Sequence, residues 1–300
     1  MIKKISINTS SNISSVSTLI IVTLLSFSIS SISSSLANVS KSKEGIKKVT
    51  SKVNYESYND NDKEKDKEKF HLTLSKEQFL LLKDFEKDTS QKSYLNKLNT
   101  KALKMGKDAV PVLTEVMKGS KYPDNSRWMA TFLLGKIMGQ KSSNFISKFL
   151  KHPHWVLRMS ALKTLLALKD TRFADNFAER LKDESLLVRL QALENIRYLS
   201  INEKAANVWE MLYHKQNYRA INGKLKRTPI IKDVIKTIGE LKYEKAKLPL
   251  ISMLKKSTYD DVFDDIDYSL SKITGKSSPT GSKEIKKIYW QKLALEEEST

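Results

Sequence analysis

The chain contains no cysteine. That excludes disulfides, thiol nucleophiles and cysteine-ligated zinc. It leaves the compartment open, since an exported protein can do without disulfides. Glycine and proline are scarce, with 9 and 6 among 300 residues, which argues against a sheet-rich or collagen-like chain. Histidine is scarcer still: His71, His152, His154 and His214. There is no glycine-rich phosphate loop, no Gly-x-Ser-x-Gly elbow and no His-Glu-x-x-His. The reading is therefore a binding protein and not an enzyme, with no cofactor and no metal.

What the chain does have is helix formers and positive charge. Leu, Lys, Ala and Glu dominate long stretches. Apolar residues make up 40%, enough for one elongated domain with a sizeable core. The formal net charge is +19. One reading of that charge is an anionic partner. The other is a general Lys, Asn, Ile and Ser bias running through the whole chain.

The first residues carry a targeting signal. Lys3 and Lys4 precede the apolar stretch 18–27, and a Ser-rich segment ends at Ser35-Leu36-Ala37. Small residues at both positions fit cleavage after Ala37, which reads 1–37 as a signal peptide. An uncleaved N-terminal anchor is the alternative, and the lysines at 41–52 count against it. No cysteine follows the apolar run, so a lipoprotein anchor is excluded. Residues 38–74 read as a disordered, charged linker, since 59–69 hold no apolar residue with which to build a core. Both readings export the rest of the chain, to the periplasm in a cell with two membranes and otherwise outside it. No transmembrane helix is expected in the mature chain.

From Ser75 the texture becomes helical. Ser75 and Gln78 form a capping-box signature ahead of Phe79, Leu80, Leu82 and Phe85. Three segments then repeat, beginning at Arg127, Arg158 and Arg189, each 31 residues after the last. Ala130, Ala161 and Ala192 follow at i+3, then Leu134, Leu165 and Ile196 at i+7. These positions share one helix face, and the small alanine lets a neighbouring helix approach. Shorter helices precede them at 108–118, 142–150 and 172–182. Further copies fit Val234, Ile238 and Leu241, after about eleven extra residues, and Ile266, Leu270 and Ile273. Thr228-Pro229 reads as the N-cap and first residue of the copy after the insertion. The fold class is all-α: an α-solenoid of about five to six stacked antiparallel hairpins over 75–297. Within it, 214–227 is a basic insertion loop and 283–297 a C-terminal capping helix.

Asp183-Glu-Ser-Leu-Leu-Val-Arg189-Leu-Gln-Ala192-Leu resembles the short bacterial HEAT repeats, of the phycobilisome-lyase HEAT-like type. Gly106-Lys-Asp-Ala-Val-Pro111 resembles the start of a repeat, and Leu270 to Lys276 with Trp290 the segment that closes such arrays. The resemblance covers roughly residues 90–297. It implies a solenoid used for protein recognition, with the second helix of each hairpin lining the binding face. On that face Trp128, Trp155, Lys163, Glu194 and Arg197 are contact candidates by periodicity. Some HEAT-repeat proteins are iron enzymes with His-Glu pairs, but this chain has no His-Glu dipeptide.

Other candidates each have a bland counterpart. Arg127, Arg158 and Arg189 form a ladder that either binds a row of anions or braces neighbouring turns, and their regularity favours bracing. The insertion at 214–227 holds Lys215, Tyr218, Arg219, Lys224, Lys226 and Arg227, either as a partner-binding loop or as a tolerated one. His152-Pro153-His154 offers two metal ligands and no third, so it reads as a solvated turn. Asp260, Asp261, Asp264, Asp265 and Asp267 read as a solvated acidic helix start, favoured there by the helix dipole. Two binding functions follow, beside an enzyme without a recognisable motif. The first is an exported scaffold for an unidentified protein partner. The second is a binder of anionic envelope polymer or lipid head groups. Nucleic acid is disfavoured, because export separates the chain from it.

Overall fold

Residues 73–87, 92–221 and 224–298 are described by a computed structural model. The signal-peptide reading of 1–37, the disorder at 38–72 and His71 lie outside the described residues. The chain divides into two units, one ending at Ile137 and one beginning at Met138. Among the described residues both are built almost entirely from helices.

In the first unit, α1 (Lys76–Glu86) opens with the expected capping box. Ser75 Oγ accepts from the Gln78 amide at 3.2 Å, and Gln78 Oε1 accepts from the Ser75 amide at 2.9 Å. Two orphan donors of the first turn are thereby satisfied. The helices α2 (Lys92–Met105), α3 (Val110–Lys118) and α4 (Asp124–Met138) follow. Gly106 ends α2 with φ +57, a left-handed conformation that glycine adopts without a Cβ penalty. Leu81, Leu82 and Phe85 of α1 are fully buried, as are Val112, Leu113 and Val116 of α3, and the two helices pack together.

The second unit is an α-solenoid. Its first hairpin is α5 (Ser143–Ser147), flanked by 3₁₀ turns, and α6 (Trp155–Ala167). The second is α7 (Ala174–Arg180) and α8 (Leu186–Tyr198). The third is α9 (Ala205–Glu210) and α10 (Ile230–Glu240), and the fourth α11 (Lys247–Leu254) and α12 (Phe263–Thr274). The second helices stack in order, α6 on α8, α8 on α10 and α10 on α12. The repeated apolar face supplies this core: Ala161, Leu165, Ala192, Ile196, Val234, Ile238, Ile266 and Leu270 are all fully buried. A last helix, α13 (Lys283–Glu298), packs on α11 and buries Trp290 completely.

The turn after α6, α8 and α10 repeats as well. Lys169, Ser200 and Lys242 hold φ of 52, 51 and 51. In each case the next residue's amide reaches back five positions: Asp170 to Leu165 O, Ile201 to Ile196 O and Tyr243 to Ile238 O. This is the Schellman closure, which satisfies the last carbonyls of the helix and turns the chain into the next hairpin.

Three local expectations are corrected. The insertion at 214–227 was expected to be a loop, yet it forms a 3₁₀ turn (Lys215–Asn217) and then a β-hairpin of β1 (Tyr218–Ile221) and β2 (Lys224–Arg227). The strands pair antiparallel, with Tyr218 opposite Arg227 and Arg219 opposite Lys226. The sequence cause is Asn222-Gly223, a two-residue hairpin signal between two short alternating runs. Thr228 does not cap α10. Its hydroxyl donates to Asn217 O at 2.8 Å, and Pro229 takes the cap position. The acidic start of α12 is only partly solvated. Asp260, Asp261 and Asp264 are exposed, while Asp265 and Asp267 are buried. Asp267 accepts from Trp290 Nε1 and Lys286 Nζ, both at 2.7 Å, and so holds α13 in place.

Candidate functional site

Arg158 and Arg189 sit one turn into α6 and α8 and are almost fully buried. Each guanidinium makes the same two sets of bonds. Arg158 Nη1 donates to His152 O and Pro153 O at 2.8 and 2.7 Å, and Arg189 Nη1 to Asp183 O and Glu184 O at 2.7 and 2.9 Å. That closes the turn inside its own hairpin. The other edge of the fork reaches the next hairpin's turn. Arg158 makes a bidentate pair with Asp183, both bonds 2.7 Å. Arg189 meets Asn217 Oδ1 at 3.0 Å and Gln216 O at 3.2 Å. Arg127, in the first unit, bonds Met117 O at 3.3 and 3.2 Å. The planar fork explains why arginine and not lysine recurs here. Because the guanidinium edges are spent on the protein's own turns, a row of external anions finds no free arginine in Arg158 or Arg189.

The ladder register next falls on Ile231, which is buried and apolar. Arg227 takes over the bracing. Its Nη1 donates to Thr258 O at 2.7 Å and to Asp261 Oδ1 at 2.9 Å, and its guanidinium lies 4.3 Å from the Tyr259 ring centroid. The hairpin insertion therefore carries the arginine that ties the third hairpin to the fourth.

Asn217 anchors the foot of the β-hairpin. It is fully buried. Its Nδ2 donates to Met211 O at 2.9 Å, its Oδ1 accepts from Arg189, and its carbonyl accepts from Thr228 N and Oγ1. No sequence signal singled it out, although it ends a 3₁₀ turn and takes the arginine fork of its preceding hairpin as Asp183 does. Beside this foot lies a shallow cleft of about 490 Å³ lined by Leu212, Tyr213, Lys215, Tyr218, Arg227 and Thr258. Three expected contact residues, Lys215, Tyr218 and Arg227, thus meet at one place. Tyr218 Oη donates to Leu212 O, and burial pushes its phenol pKa up. Tyr213 is 69% exposed and packs edge-on against Trp209. Arg219 and Lys226 are exposed on the hairpin, away from the cleft-lining residues in register, and Lys224 opens β2.

The remaining candidates lie on second helices of the two units, each taken separately. Trp155 begins α6, half-buried, and Trp128 is half-buried in α4 of the other unit. Lys163 and Glu194 occupy matched positions of α6 and α8, and Lys236 and Tyr268 continue the row on α10 and α12. Burial lowers the Lys163 pKa, and Glu194 offsets part of that. Asp233 is pushed up by burial, against the pull of Arg197 and Lys236. Arg197 lies 3.8 Å from Glu240, and Lys236 lies 3.2 Å from Asp265. His152 accepts the His154 amide on Nδ1 at 3.0 Å and stacks on Phe149, so its ring serves the turn. Among the described residues, no three His, Cys, Asp or Glu side chains gather as a metal site, and no helix is long and apolar enough to cross a membrane.

Residues 110–197, from α3 to α8, match the model of the family described as HEAT repeats. The match supports HEAT-type repeats, and it covers the span in which the 31-residue period is strictest. It does not reach the finer phycobilisome-lyase-like type. A search of curated proteins finds no match to the chain. HEAT repeats serve generally as scaffolds for protein interaction.

Proposed function

We propose that the chain is an exported HEAT-type scaffold that binds a protein partner on the face presented by α6, α8, α10 and α12. The observation that carries this reading is the register-matched row Lys163, Glu194, Lys236 and Tyr268. These side chains project from four stacked helices and alternate in charge from Lys163 to Lys236. Half-desolvated charges on a rigid face discriminate between partners more than they add affinity. Trp155 and the exposed Tyr198 supply aromatic anchors of the kind that dominate interfaces. Export rests on the N-terminal reading of 1–37. The closed arginine ladder and the absence of any catalytic motif favour binding over chemistry.

The test is capture of a partner by the mature chain and by a face variant carrying Glu194→Arg and Lys236→Glu. A discrete protein held by the first and released by the second supports the proposal. Equal retention by both would move the interface elsewhere.

A further inference from the structure

The β-hairpin has a second side that the bracing role of Arg227 does not use. Arg219 and Lys226 stand directly opposite each other across the ladder, and both are exposed. Like charges directly opposed across two strands destabilise the pair. A two-stranded ribbon is marginal by itself, yet this one sets its two cations against each other. Among the described residues, no carboxylate forms an ion pair with either.

The backbone adds a second feature. Thr228 N donates to Asn217 O, which fixes which residues turn their amides inward. In an antiparallel ladder the alternate residues turn theirs outward. Those are Tyr218 and Ala220 on β1, and Leu225 and Arg227 on β2. The Tyr218 amide already donates to Lys215 O, so the open outward amides are those of Ala220 on β1 and of Leu225 and Arg227 on β2, which no backbone bond from the rest of the described chain reaches. The outer side of β2 is therefore an open edge beside a pair of unanswered cations, and the hairpin is held firmly at its foot by Asn217.

We propose that this hairpin docks an extended acidic segment of a protein partner, which pairs along an open strand edge and sets its carboxylates between Arg219 and Lys226. This rests on the reading of the chain as a protein-binding scaffold and gives that partner a chemistry. Strand addition supplies main-chain bonds, and alternating side chains supply specificity. The acidic groups relieve the Arg219–Lys226 opposition, so the hairpin itself is steadied on binding.

The experiment titrates the mature chain with a synthetic strand of about ten residues alternating Val and Glu. Binding is read by fluorescence anisotropy and by amide shifts. The expected result is saturable binding with shifts concentrated at 218–221 and 224–227. Arg219→Glu with Lys226→Glu should weaken it by about tenfold or more, through two charge contacts turned repulsive. Lys255→Glu with Lys256→Glu, an equal charge change at exposed positions elsewhere, should leave it within about twofold. A proline-interrupted peptide of the same charge should bind poorly. Equal weakening by both charge-reversed variants, or binding of inorganic polyphosphate or phosphatidylglycerol vesicles but not of the peptide, would overturn the proposal. So would no binding at all. Any of these results with partner capture on the second-helix face intact would remove only the hairpin site and leave the scaffold reading standing.

Discussion

Gly239 of α10 lies against Ser269 of α12 so closely that a Cβ on Gly239 would stand 2.5 Å from the Ser269 Cα. Ser269 Oγ, fully buried, donates to Ile235 O at 2.7 Å across the same contact. The two helices thus touch backbone to backbone, at a spacing that no other residue at 239 permits. Gly239→Ala gains helix propensity worth about 1 kcal/mol. It must also push α12 away, and overpacking of this kind costs about 1–3 kcal/mol. The expected result is a lower melting temperature, read by circular dichroism. An unchanged or raised one would show that the contact is slack.

Arg158 and Asp183 give a second prediction. Both are buried: removing Asp183 leaves Arg158 without a carboxylate, and removing Arg158 leaves Asp183 only Arg180, at 3.5 Å. Asp183→Ala is expected to cost about 3–5 kcal/mol, and Arg158→Ala less, because Arg180 still faces Asp183. The double variant should cost much less than the sum. Arg158→Lys should not restore stability, since one ammonium cannot make both the bidentate pair and the two turn bonds. Urea unfolding of the four proteins gives the coupling directly.

The non-glycine residues at the helix ends predict a gain. Lys169, Ser200 and Lys242 hold left-handed conformations that disfavour a Cβ by about 1–2 kcal/mol. Glycine removes that strain and loses part of the gain to unfolded-state freedom. Each of Lys169→Gly, Ser200→Gly and Lys242→Gly is expected to stabilise by about 0.5–1 kcal/mol, additively, in thermal unfolding.

Acid should release α13. Burial raises the Asp267 pKa, but bonds from Lys286, Trp290 and Ser278 outweigh it and hold the carboxyl below its usual value of 3.8. A carboxylate with a depressed folded pKa contributes stability above its unfolded pKa. That contribution is lost as pH falls below about 4, through the folded value. The fluorescence of Trp290 should change in that window. Asp267→Asn should abolish the acid dependence of that signal while lowering stability near neutral pH.

Much of the fold was legible because the repeat is written in side chains that must meet. Arg158, Ala161 and Leu165 recur because a turn, a close helix approach and a core position recur with them. The capping box at Ser75 was readable for the same reason, since its bonds are local. Buried acids were not legible. Asp267 looks like any carboxylate in a helix's first turns until Trp290, more than twenty residues on, is packed beside it. The hairpin is carried by the Asn222-Gly223 signal, whereas an insertion that interrupts a helical period reads as a loop. Arg227 could not be separated from its cationic neighbours by sequence, because its bracing role depends on Thr258 and Tyr259 lying one hairpin away.

The scaffold reading is tested most directly by capture from native envelope extract. The bait is residues 38–300, at low salt and at about 0.5 M salt, where exposed charges are largely screened. Glu194→Arg with Lys236→Glu serves as the matched variant. The account predicts one discrete protein retained by the native chain at both salt concentrations and lost from the variant. Recovery of polyanionic material alone, equal on both baits and released at high salt, would contradict it and make the excess of lysine the binding determinant.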